Sequence, residues 1–304
     1  MALSILRPVS GGLSVTFYGV RGSTPCAGPQ FARYGGQSSC VVVEAAADQP
    51  PLIFDLGTGL RPYGLDWTAE QSFHGTALLS HLHWDHVQGL PFFVPLHVPG
   101  ATLYVYGPHQ TEGPLGDVFA QMMRPPFFPI RPTDLEGEVH FHGIVDDDFP
   151  IGLAKVRSRF VRHVGSTLGF RVEWNGISIA YLPDHGPGTI PSDADDYVPP
   201  EVLELCDGVD LLIHDAQHTP AEYELKRHWG HCTVDYAVLV AREAGARHLT
   251  LFHHDPIHGD DDMDAIGRDA AELAACMGVP ELSVARDGME MHLAAHPAVP
   301  PTGA

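Results

Sequence analysis

The sequence feature that most constrains the fold is the segment HLHWDHVQG, which follows the apolar run GTALLS. It places His81, His83, Asp85 and His86 within six residues, directly after a predicted buried strand. Alternate residues of an extended chain point to the same side, so His81 and His83 can bind one metal ion together. The turn that follows would bring Asp85 and His86 to a second ion. A histidine-rich, solvent-exposed loop is the alternative interpretation, and the hydrophobic strand before the segment argues against it.

The composition supports a metal site and excludes several other classes of protein. The 20 histidines outnumber the 17 lysines and arginines together, and histidine is the side chain most often used to bind transition metals. The formal charge of −21 disfavours binding to nucleic acid or to anionic membranes. The five cysteines form no CxxC pair, so we expect neither a disulfide framework nor a thiolate zinc site. The N-terminus shows no signal-peptide pattern and no apolar run is long enough to span a bilayer, which predicts a soluble cytoplasmic protein.

Short β-branched or apolar runs bounded by Gly, Pro and Asp predict strands through most of the chain. Two later segments predict helices: TVDYAVLVAREAG, with Thr233 as N-cap, and MDAIGRDAAELAACMG, ending at Gly278. The segment LSVARDGMEMHL predicts a closing pair of strands. Residues 109–148 are rich in Pro and Phe, so we expect an insertion or lid there, with little regular structure beyond a short helix near Gly116–Met123. No linker divides the chain, which predicts one α/β domain over residues 1–304.

Three isolated residues follow later predicted strands and complete a set of metal ligands. His163 follows AKVRSRFVR, Asp184 follows ISIAYLP, and His253 follows HLTLF. Loops at strand ends are the places where open α/β folds collect ligands. Together with HLHWDH, these residues supply seven nitrogen and oxygen ligands, enough for two ions with room for water. Asp184 is the natural bridge, because one carboxylate can bind two cations.

At these residues the chain resembles the metallo-β-lactamase-fold hydrolases. The resemblance rests on HLHWDH, on FDLGTGL before it and on the later His, Asp and His, and it covers nearly the whole chain. The branch it resembles is that of the phosphodiesterases containing ribonuclease Z and the phosphoribosyl cyclic phosphodiesterases. The segments GVRGSTPCAGP, RYGGQSSC, GLPFF, PPFFP, LIHDAQ, HWGHCT and LFHHDP look like that branch. The resemblance implies a four-layer αββα sandwich with the metals at one edge.

The resemblance also implies which residues bind each ion. The first ion would be bound by His81, His83 and His163. The second would be bound by Asp85, His86 and His253, and Asp184 would bridge the two. Two neighbours, His185 and His254, are alternatives to Asp184 and His253, although the position in the family favours the latter pair. We expect two divalent ions. Zinc suits this set of His and Asp ligands, and manganese or iron would also be accepted.

Three further residues gain roles from the resemblance. Asp55 in FDLGTG would support the metal-binding loop, because a carboxylate commonly orients a metal-bound imidazole; a turn-capping aspartate is the alternative. His231, in GHCT, would protonate the leaving group, and His214, in LIHDAQ, matches a neighbouring position. Where the family has a serine after the histidine that corresponds to His231, this chain has Cys232. Where the family has a glutamate after His214, this chain has Asp215, so it departs from the family pattern at both positions.

These observations predict a dinuclear metal-dependent phosphodiesterase with Asp85, His231 and His214 as candidate catalytic residues. Two ions about 3.5–4 Å apart would supply a bridging hydroxide that attacks phosphorus in line. Charge that develops on the phosphoryl oxygens would be offset by the metals, and the leaving alkoxide would be protonated by His231.

The expected substrate is a small cyclic phosphodiester, either a cyclic nucleotide or a sugar cyclic phosphate. The insertion carries only Arg124 and Arg131 as basic residues and the chain is strongly acidic, so we do not expect nucleic acid as a partner. The alternatives are a tRNA 3′-processing endonuclease, a thioester or lactone hydrolase of the same fold, and a non-catalytic binding protein. Four aromatic residues could stack a base, close the pocket or form a homodimer interface: Phe92, Phe93, Phe127 and Phe128.

Overall fold

The computed structural model of the protein describes residues 11–45, 49–67, 72–187 and 197–295. Fourteen strands lie in these ranges: β1 (Leu13–Gly19), β2 (Cys40–Glu44), β3 (Leu52–Phe54), β4 (His74–Leu78), β5 (Thr102–Pro108), β6 (Glu138–Ile144), β7 (Asp148–Ile151), β8 (Ala154–Phe160), β9 (Leu168–Trp174), β10 (Ile177–Leu182), β11 (Leu211–Asp215), β12 (His248–Phe252), β13 (Glu281–Val284) and β14 (Met289–Leu293). The same ranges contain seven α-helices: α1 (Leu60–Leu65), α2 (Trp84–Val87), α3 (Leu115–Phe119), α4 (Pro200–Cys206), α5 (Pro220–Lys226), α6 (Val234–Glu243) and α7 (Asp260–Met277).

The strands form two seven-stranded sheets with matching organisation. The first sheet has the order β14-β1-β2-β3-β4-β5-β6, with parallel pairing from β3 to β6 and antiparallel pairing elsewhere. The second has the order β13-β12-β11-β10-β9-β8-β7, with parallel pairing from β10 to β13. Each sheet therefore has a parallel half, and the carboxyl ends of its strands share one edge.

The two sheets face each other across an apolar core to which both contribute. Phe54 of the first sheet stacks on Tyr181 of the second, with 4.6 Å between ring centroids. Helices cover the outer face of each sheet with a further apolar cluster. The valines of strand β2 are consecutive because both faces of the strand are buried. Val41 and Val43 face the other sheet, whereas Val42 faces the helices. These layers confirm the αββα sandwich expected from the sequence.

Both helices singled out in the sequence are present; α6 begins and α7 ends where expected, whereas α7 begins at Asp260, before the predicted segment. The Thr233 hydroxyl accepts a hydrogen bond from the backbone N–H of Tyr236 and so caps α6. Helix α7 ends before Gly278, whose φ of 80° is the left-handed conformation that favours glycine after a helix. None of the helices in the described ranges combines the length and the apolar character needed to cross a bilayer.

Two predictions about individual elements are wrong. The segment LSVARDGMEMHL forms two strands as predicted, but they do not pair with each other, because β13 pairs with β12 and β14 pairs with β1 in the other sheet. The segment 109–148 is not irregular throughout, since its residues 138–144 form β6, a parallel partner of β5. Composition obscured β6, because the preceding stretch rich in Pro and Phe dominates this part of the chain. The prediction made for the N-terminal residues 1–10 lies outside the described residues.

Candidate metal centre

All seven candidate ligands lie at one edge of the two sheets, six of them after strands that pair parallel and His163 between the antiparallel strands β8 and β9. The segment HLHWDH leaves β4 and enters α2, Asp184 follows β10, His253 follows β12, and His163 lies between β8 and β9. Their nitrogen and oxygen atoms form two groups, each compact enough for one ion. The groups are His81, His83, His163 and Asp184, and Asp85, His86 and His253; a third, overlapping set joins Asp184 and His253 with His231.

The second group has the spacing of a tetrahedral metal site. Nε2 of His86 lies 3.2 Å from Nε2 of His253, and both nitrogen atoms lie 3.1 Å from Oδ2 of Asp85. The same nitrogen atoms lie 3.1 and 3.0 Å from Oδ1 of Asp184. Ligand atoms around a tetrahedral ion with bonds of about 2.0 Å are roughly 3.3 Å apart. These four atoms therefore match the ligand shell of an ion of the size of zinc.

The first group uses the other carboxylate oxygen of Asp184. Oδ2 of Asp184 lies 3.5 Å from Nε2 of His81 and 3.4 Å from Nε2 of His163. Nδ1 of His83 lies 3.3 Å from Nε2 of His163. The carboxylate therefore lies between the two groups, with Oδ1 facing one and Oδ2 facing the other.

Buried atoms without hydrogen-bond partners test whether the site suits a cation. Among the described residues, Nε2 of His81 and Oδ1 of Asp184 are buried and make no hydrogen bond. Leaving a buried polar atom without a partner costs roughly 1–3 kcal/mol. A divalent cation would satisfy both atoms, so the residues present fit the metal ions that the fold implies.

At His81, His163 and Asp184 the environment favours the protonation state that binds metal. Burial lowers the pKa of His81 well below its usual range, and burial also lowers the pKa of His163. A neutral imidazole offers a lone pair to a metal ion. Burial alone would raise the pKa of Asp184, but the imidazoles of His253 and His86 hold the pKa of that carboxyl well below its usual range. At His86 burial alone would lower the pKa, but the carboxylates of Asp85 and Asp184 raise that pKa well above its usual range.

Asp55 directly follows β3 and contacts the metal-binding loop through several hydrogen bonds. Its Oδ2 accepts hydrogen bonds from Nδ1 of His86 at 2.7 Å and from the hydroxyl of Tyr181 at 2.8 Å. Its Oδ1 accepts the backbone N–H of Ser80 at 2.7 Å. A carboxylate bound to Nδ1 fixes the tautomer and directs Nε2 towards the metal position. These contacts go beyond the capping of a turn.

Two more ligands are oriented by hydrogen bonds that the sequence analysis missed. Nδ1 of His253 donates to Oε1 of Gln217 at 2.9 Å, and Nδ1 of His163 donates to the carbonyl of Gly230 at 2.9 Å. In each case Nε2 is left to face the group of ligands. Neither partner is near its histidine in the sequence, so no local pattern could have identified it.

Two site residues adopt a backbone conformation that is unusual outside glycine. Asp55 has a φ of 58° and His253 a φ of 59°. Such left-handed residues cost on the order of 1 kcal/mol and concentrate at functional sites. Each residue directly follows a strand, so the sharp turn directs its side chain towards the ligand groups instead of continuing along the sheet.

An open cleft of about 420 Å³ gives access to the ligand groups. Its lining comprises four of the ligands and four other residues: His83, Asp85, Asp184 and His253, and Ser23, Leu82, Trp84 and His231. Ser23 lies in the segment GVRGSTPCAGP, and its backbone N–H donates to Oδ2 of Asp85 at 2.7 Å. The sequence analysis quoted this segment without assigning Ser23 a role.

His231 forms part of the cleft wall next to the bridging carboxylate. Its Nδ1 lies 3.9 Å from Oδ2 of Asp184 and donates to Oδ2 of Asp215 at 2.8 Å. Burial alone would lower the pKa of His231, but the carboxylate of Asp215 raises that pKa to about 9. With Nδ1 held by Asp215, Nε2 is the ring nitrogen available to the cleft.

His214 does not reach the cleft. Its side chain is fully buried, and its Nδ1 donates to the carbonyl of Asp215 at 2.7 Å. The thiol of Cys232 lies 3.9 Å from the same nitrogen and donates to the same carbonyl. The candidate catalytic role of His214 therefore has no geometric support, and the residue packs behind the carboxylate that holds His231.

The two neighbours that were alternatives as ligands also lie outside both groups. Nε2 of His185 contacts the hydroxyl of Tyr236 at 3.3 Å. Nε2 of His254 donates to the carbonyl of Ala285 at 2.8 Å, and burial lowers the pKa of His254 to about 3. The turns after β10 and β12 therefore direct only the first residue of each pair towards the metal positions.

Comparison with known families places these features in context. Residues 71–254, which contain all seven candidate ligands, match the Beta-lactamase superfamily domain. The chain belongs to this superfamily.

Relatives narrow the position within the superfamily. Ribonuclease Z of Exiguobacterium sp. is 31% identical over 213 residues, which are 58% of this chain and 69% of that protein. Ribonuclease Z of Haloarcula marismortui is 26% identical over 319 residues, with 91% of this chain and 96% of that protein covered. For ribonuclease Z of Brevibacillus brevis the match is 43% identical over 63 residues, 21% of this chain and only 20% of that relative's length. The chain thus lies in the metal-dependent phosphodiesterase branch of the superfamily, as the sequence predicted.

Solved structures share the fold of this superfamily member along most of the chain. The metallo-β-lactamase fold protein YhfI from Bacillus subtilis has a TM-score of 0.66 at 18% identity, covering 92% of this chain and 99% of that one. A diphosphatase from the PhnP family has a TM-score of 0.64 at 21% identity, with coverage of 93% and 100%. The short form of human tRNase Z has a TM-score of 0.63 at 21% identity, with coverage of 91% and 98%.

Proposed function

We propose that this chain hydrolyses a small cyclic phosphodiester, a cyclic nucleotide or a sugar cyclic phosphate, with two divalent ions bound on either side of Asp184. One observation carries the proposal. The two carboxylate oxygens of Asp184 face different groups of histidines, and both groups lie at an open cleft. Paired metal sites of this kind are common in enzymes that displace a group at phosphorus.

The ligands proposed for the first ion are His81, His83 and His163. Those proposed for the second ion are Asp85, His86 and His253, and Asp184 is the proposed bridge. Zinc is the metal proposed, because imidazole and carboxylate ligands at tetrahedral spacing suit it. When bound, the two ions would activate water and stabilise negative charge on the phosphoryl oxygens.

The side chains of the cleft would handle the protons of the reaction. Asp85 lines the cleft and can accept a proton from the attacking water, while Ser23 holds one of its oxygen atoms in place. His231 lines the same cleft and can donate a proton from Nε2 to the leaving alkoxide. Asp215 holds the ring of His231 in that orientation. We do not assign a catalytic step to His214.

The charge of the chain supports a small substrate. Among the described residues that line the cleft there is no lysine or arginine, and the formal charge of the chain is −21. A protein that grips RNA neutralises many phosphates with basic side chains, and its affinity falls steeply with salt. The second candidate, processing of tRNA 3′ ends, is favoured by the relatives that carry the name ribonuclease Z.

The deciding experiment measures turnover of metal-loaded protein on matched substrates. The panel contains bis-p-nitrophenyl phosphate, 2′,3′- and 3′,5′-cyclic nucleotides, ribose cyclic phosphate and a precursor tRNA, each at about 50 and about 200 mM salt. We expect hydrolysis of a cyclic substrate with little change between the two salt concentrations. Cleavage of tRNA alone, with a loss of affinity of roughly a thousandfold or more at the higher salt, would support the second candidate instead.

A lack of turnover on every phosphodiester would contradict both candidates. Thioesters and lactones, assayed with the same preparation, would then test whether the site serves a different ester. Metal bound in full stoichiometry without turnover on any of these substrates would support the non-catalytic binding protein.

A further inference from the structure

An apolar groove of about 620 Å³ lies directly beside the metal-binding cleft. Helices α2 and α3 contribute to its walls together with residues 121–128. Leu82 and Trp84 line both the groove and the cleft, so the two cavities share a wall. The volume is within the range of small-ligand sites, which is about 300–1,000 Å³.

Large aromatic side chains are exposed in this groove. Trp84 is 74% exposed, Phe127 is 77% exposed and Phe92 is 53% exposed. The rings of Phe92 and Phe128 pack edge to face, with 5.7 Å between their centroids. Phe93, predicted to belong to this aromatic group, is instead buried against Tyr63. Exposed aromatic surface of this kind marks a binding site when it adjoins a catalytic cleft.

The chemistry of the lining selects among ligands. No lysine or arginine is among the described residues that line the groove, so it offers no partner for a phosphate. The side-chain groups there that can form hydrogen bonds are the amides of Gln88 and Gln121, the hydroxyl of Thr58 and the indole N–H of Trp84. Aromatic rings that flank a few amides suit a flat, nitrogen-containing ring, which stacks on its faces and forms hydrogen bonds at its edge.

We infer that this groove binds the base of a nucleoside cyclic phosphate while the phosphate lies at the metal ions. The inference rests on the proposed function and narrows its substrate from cyclic phosphodiesters in general to cyclic nucleotides. Trp84 has a particular place in it, because its neighbours in the chain are His83 and Asp85, two of the proposed ligands. A base that contacts Trp84 is therefore held next to the metal-binding segment.

The test compares two substrates with the same reacting group, adenosine 2′,3′-cyclic phosphate and methyl riboside 2′,3′-cyclic phosphate, which lacks the base. For metal-loaded wild-type protein we expect kcat/KM to be about tenfold or more higher for the nucleotide, since stacking of a base on an aromatic side chain has an effect of this order. The Phe127→Ala and Phe127→Leu substitutions should both reduce this ratio several-fold. The leucine variant separates stacking from burial in an apolar groove, because leucine keeps much of the apolar volume without the ring.

Tyr104→Ala is the matched control, since Tyr104 is an exposed aromatic residue on β5 that does not line the groove. Equal kcat/KM for the two substrates in the wild type would overturn the inference while leaving the proposed function in place. Failure to hydrolyse either substrate would overturn the inference, and failure to hydrolyse every phosphodiester of the panel above would overturn the proposed function as well. A Phe127→Ala protein that changes from dimer to monomer in sedimentation, with the substrate ratio unchanged, would assign the groove to contact between two copies of the chain instead.

Discussion

Asp184 connects the two groups of ligands because each of its carboxylate oxygens faces a different set of histidines. An amide of the same shape could replace only part of this arrangement. Its NH₂ group cannot bind a cation, and it lacks the negative charge that offsets the charge of two ions. The fate of both ions should therefore depend on this one side chain.

The substitution Asp184→Asn is expected to lower the bound metal from two equivalents to one or none and to reduce turnover by at least a hundredfold. Metal content of the dialysed protein and hydrolysis of bis-p-nitrophenyl phosphate measure the two effects. Asp269→Asn is the control, because Asp269 is an exposed carboxylate on α7. Two retained equivalents of metal in the Asp184 variant would mean that another group forms the bridge.

His231 is expected to affect turnover without holding a metal ion. Its Nδ1 is bound to Asp215 and its other nitrogen faces the cleft, so the His231→Gln protein should keep its metal. We expect turnover of a cyclic nucleotide, whose leaving group is a basic alkoxide, to fall about a hundredfold or more. Turnover of a p-nitrophenyl ester should fall much less, because p-nitrophenolate leaves without a proton. An equal decrease for both substrates would remove the proposed acid role.

At the scale of elements, two loops of the first sheet are held closely together. The loop after β3 contains Gly57, and the loop after α2 contains Gly89, whose backbone N–H donates to the carbonyl of Leu56 at 2.8 Å. The backbone N–H of Leu56 donates in turn to the carbonyl of His86 at 2.8 Å. A Cβ atom on Gly89 would lie only 1.9 Å from the carbonyl oxygen of Gly57. The metal-binding loop can therefore take its place only if this position has no side chain.

The substitution Gly89→Ala is expected to destabilise the metal-free protein by about 2 kcal/mol, because the extra methyl group must displace backbone. Metal affinity should also decrease, since the shifted loop carries His86. Urea unfolding and competition with a chelator measure the two quantities. Gly143→Ala is the control, because a Cβ atom at Gly143 meets nothing closer than 3.7 Å. Wild-type values for the Gly89 variant would show that the loops separate at little cost.

At the scale of the whole molecule, the ligands come from both sheets. The HLHWDH segment belongs to the first sheet, whereas His163, Asp184 and His253 belong to loops of the second. Bound metal therefore links the two halves of the sandwich, and a ligand that binds only the folded state stabilises it.

Removal of metal with a chelator is expected to lower the Tm by roughly 3–5 °C, the shift that about 2.7 kcal/mol produces for a chain of this length. Thermal unfolding followed by circular dichroism, with and without chelator, measures the difference. The Asp184→Asn protein should show a much smaller shift on the same treatment. An unchanged Tm for the wild type would mean that the two sheets hold together without help from the metal.

The sequence was most informative where a short segment contains its own chemistry. HLHWDH follows a strand, so four candidate ligands could be named from the alternation of an extended chain and the turn that ends it. The three later candidates could be named because each directly follows an apolar run, and the structure brings all seven together. The helix ends at Thr233 and Gly278 were also predictable, since capping depends on residues within one turn.

Only the tertiary structure decided the contacts between distant segments. It placed β13 and β14 in different sheets, because β13 pairs with β12 at the edge of the second sheet and β14 pairs with β1 at the edge of the first. It also chose Asp184 over His185, left His214 behind the cleft, and brought Gln217 to His253 across 36 residues. Local patterns determine which side chains can bind a metal, because ligand chemistry belongs to the single residue. Which of these residues meet depends on how two sheets pack, and that is a property of the whole chain.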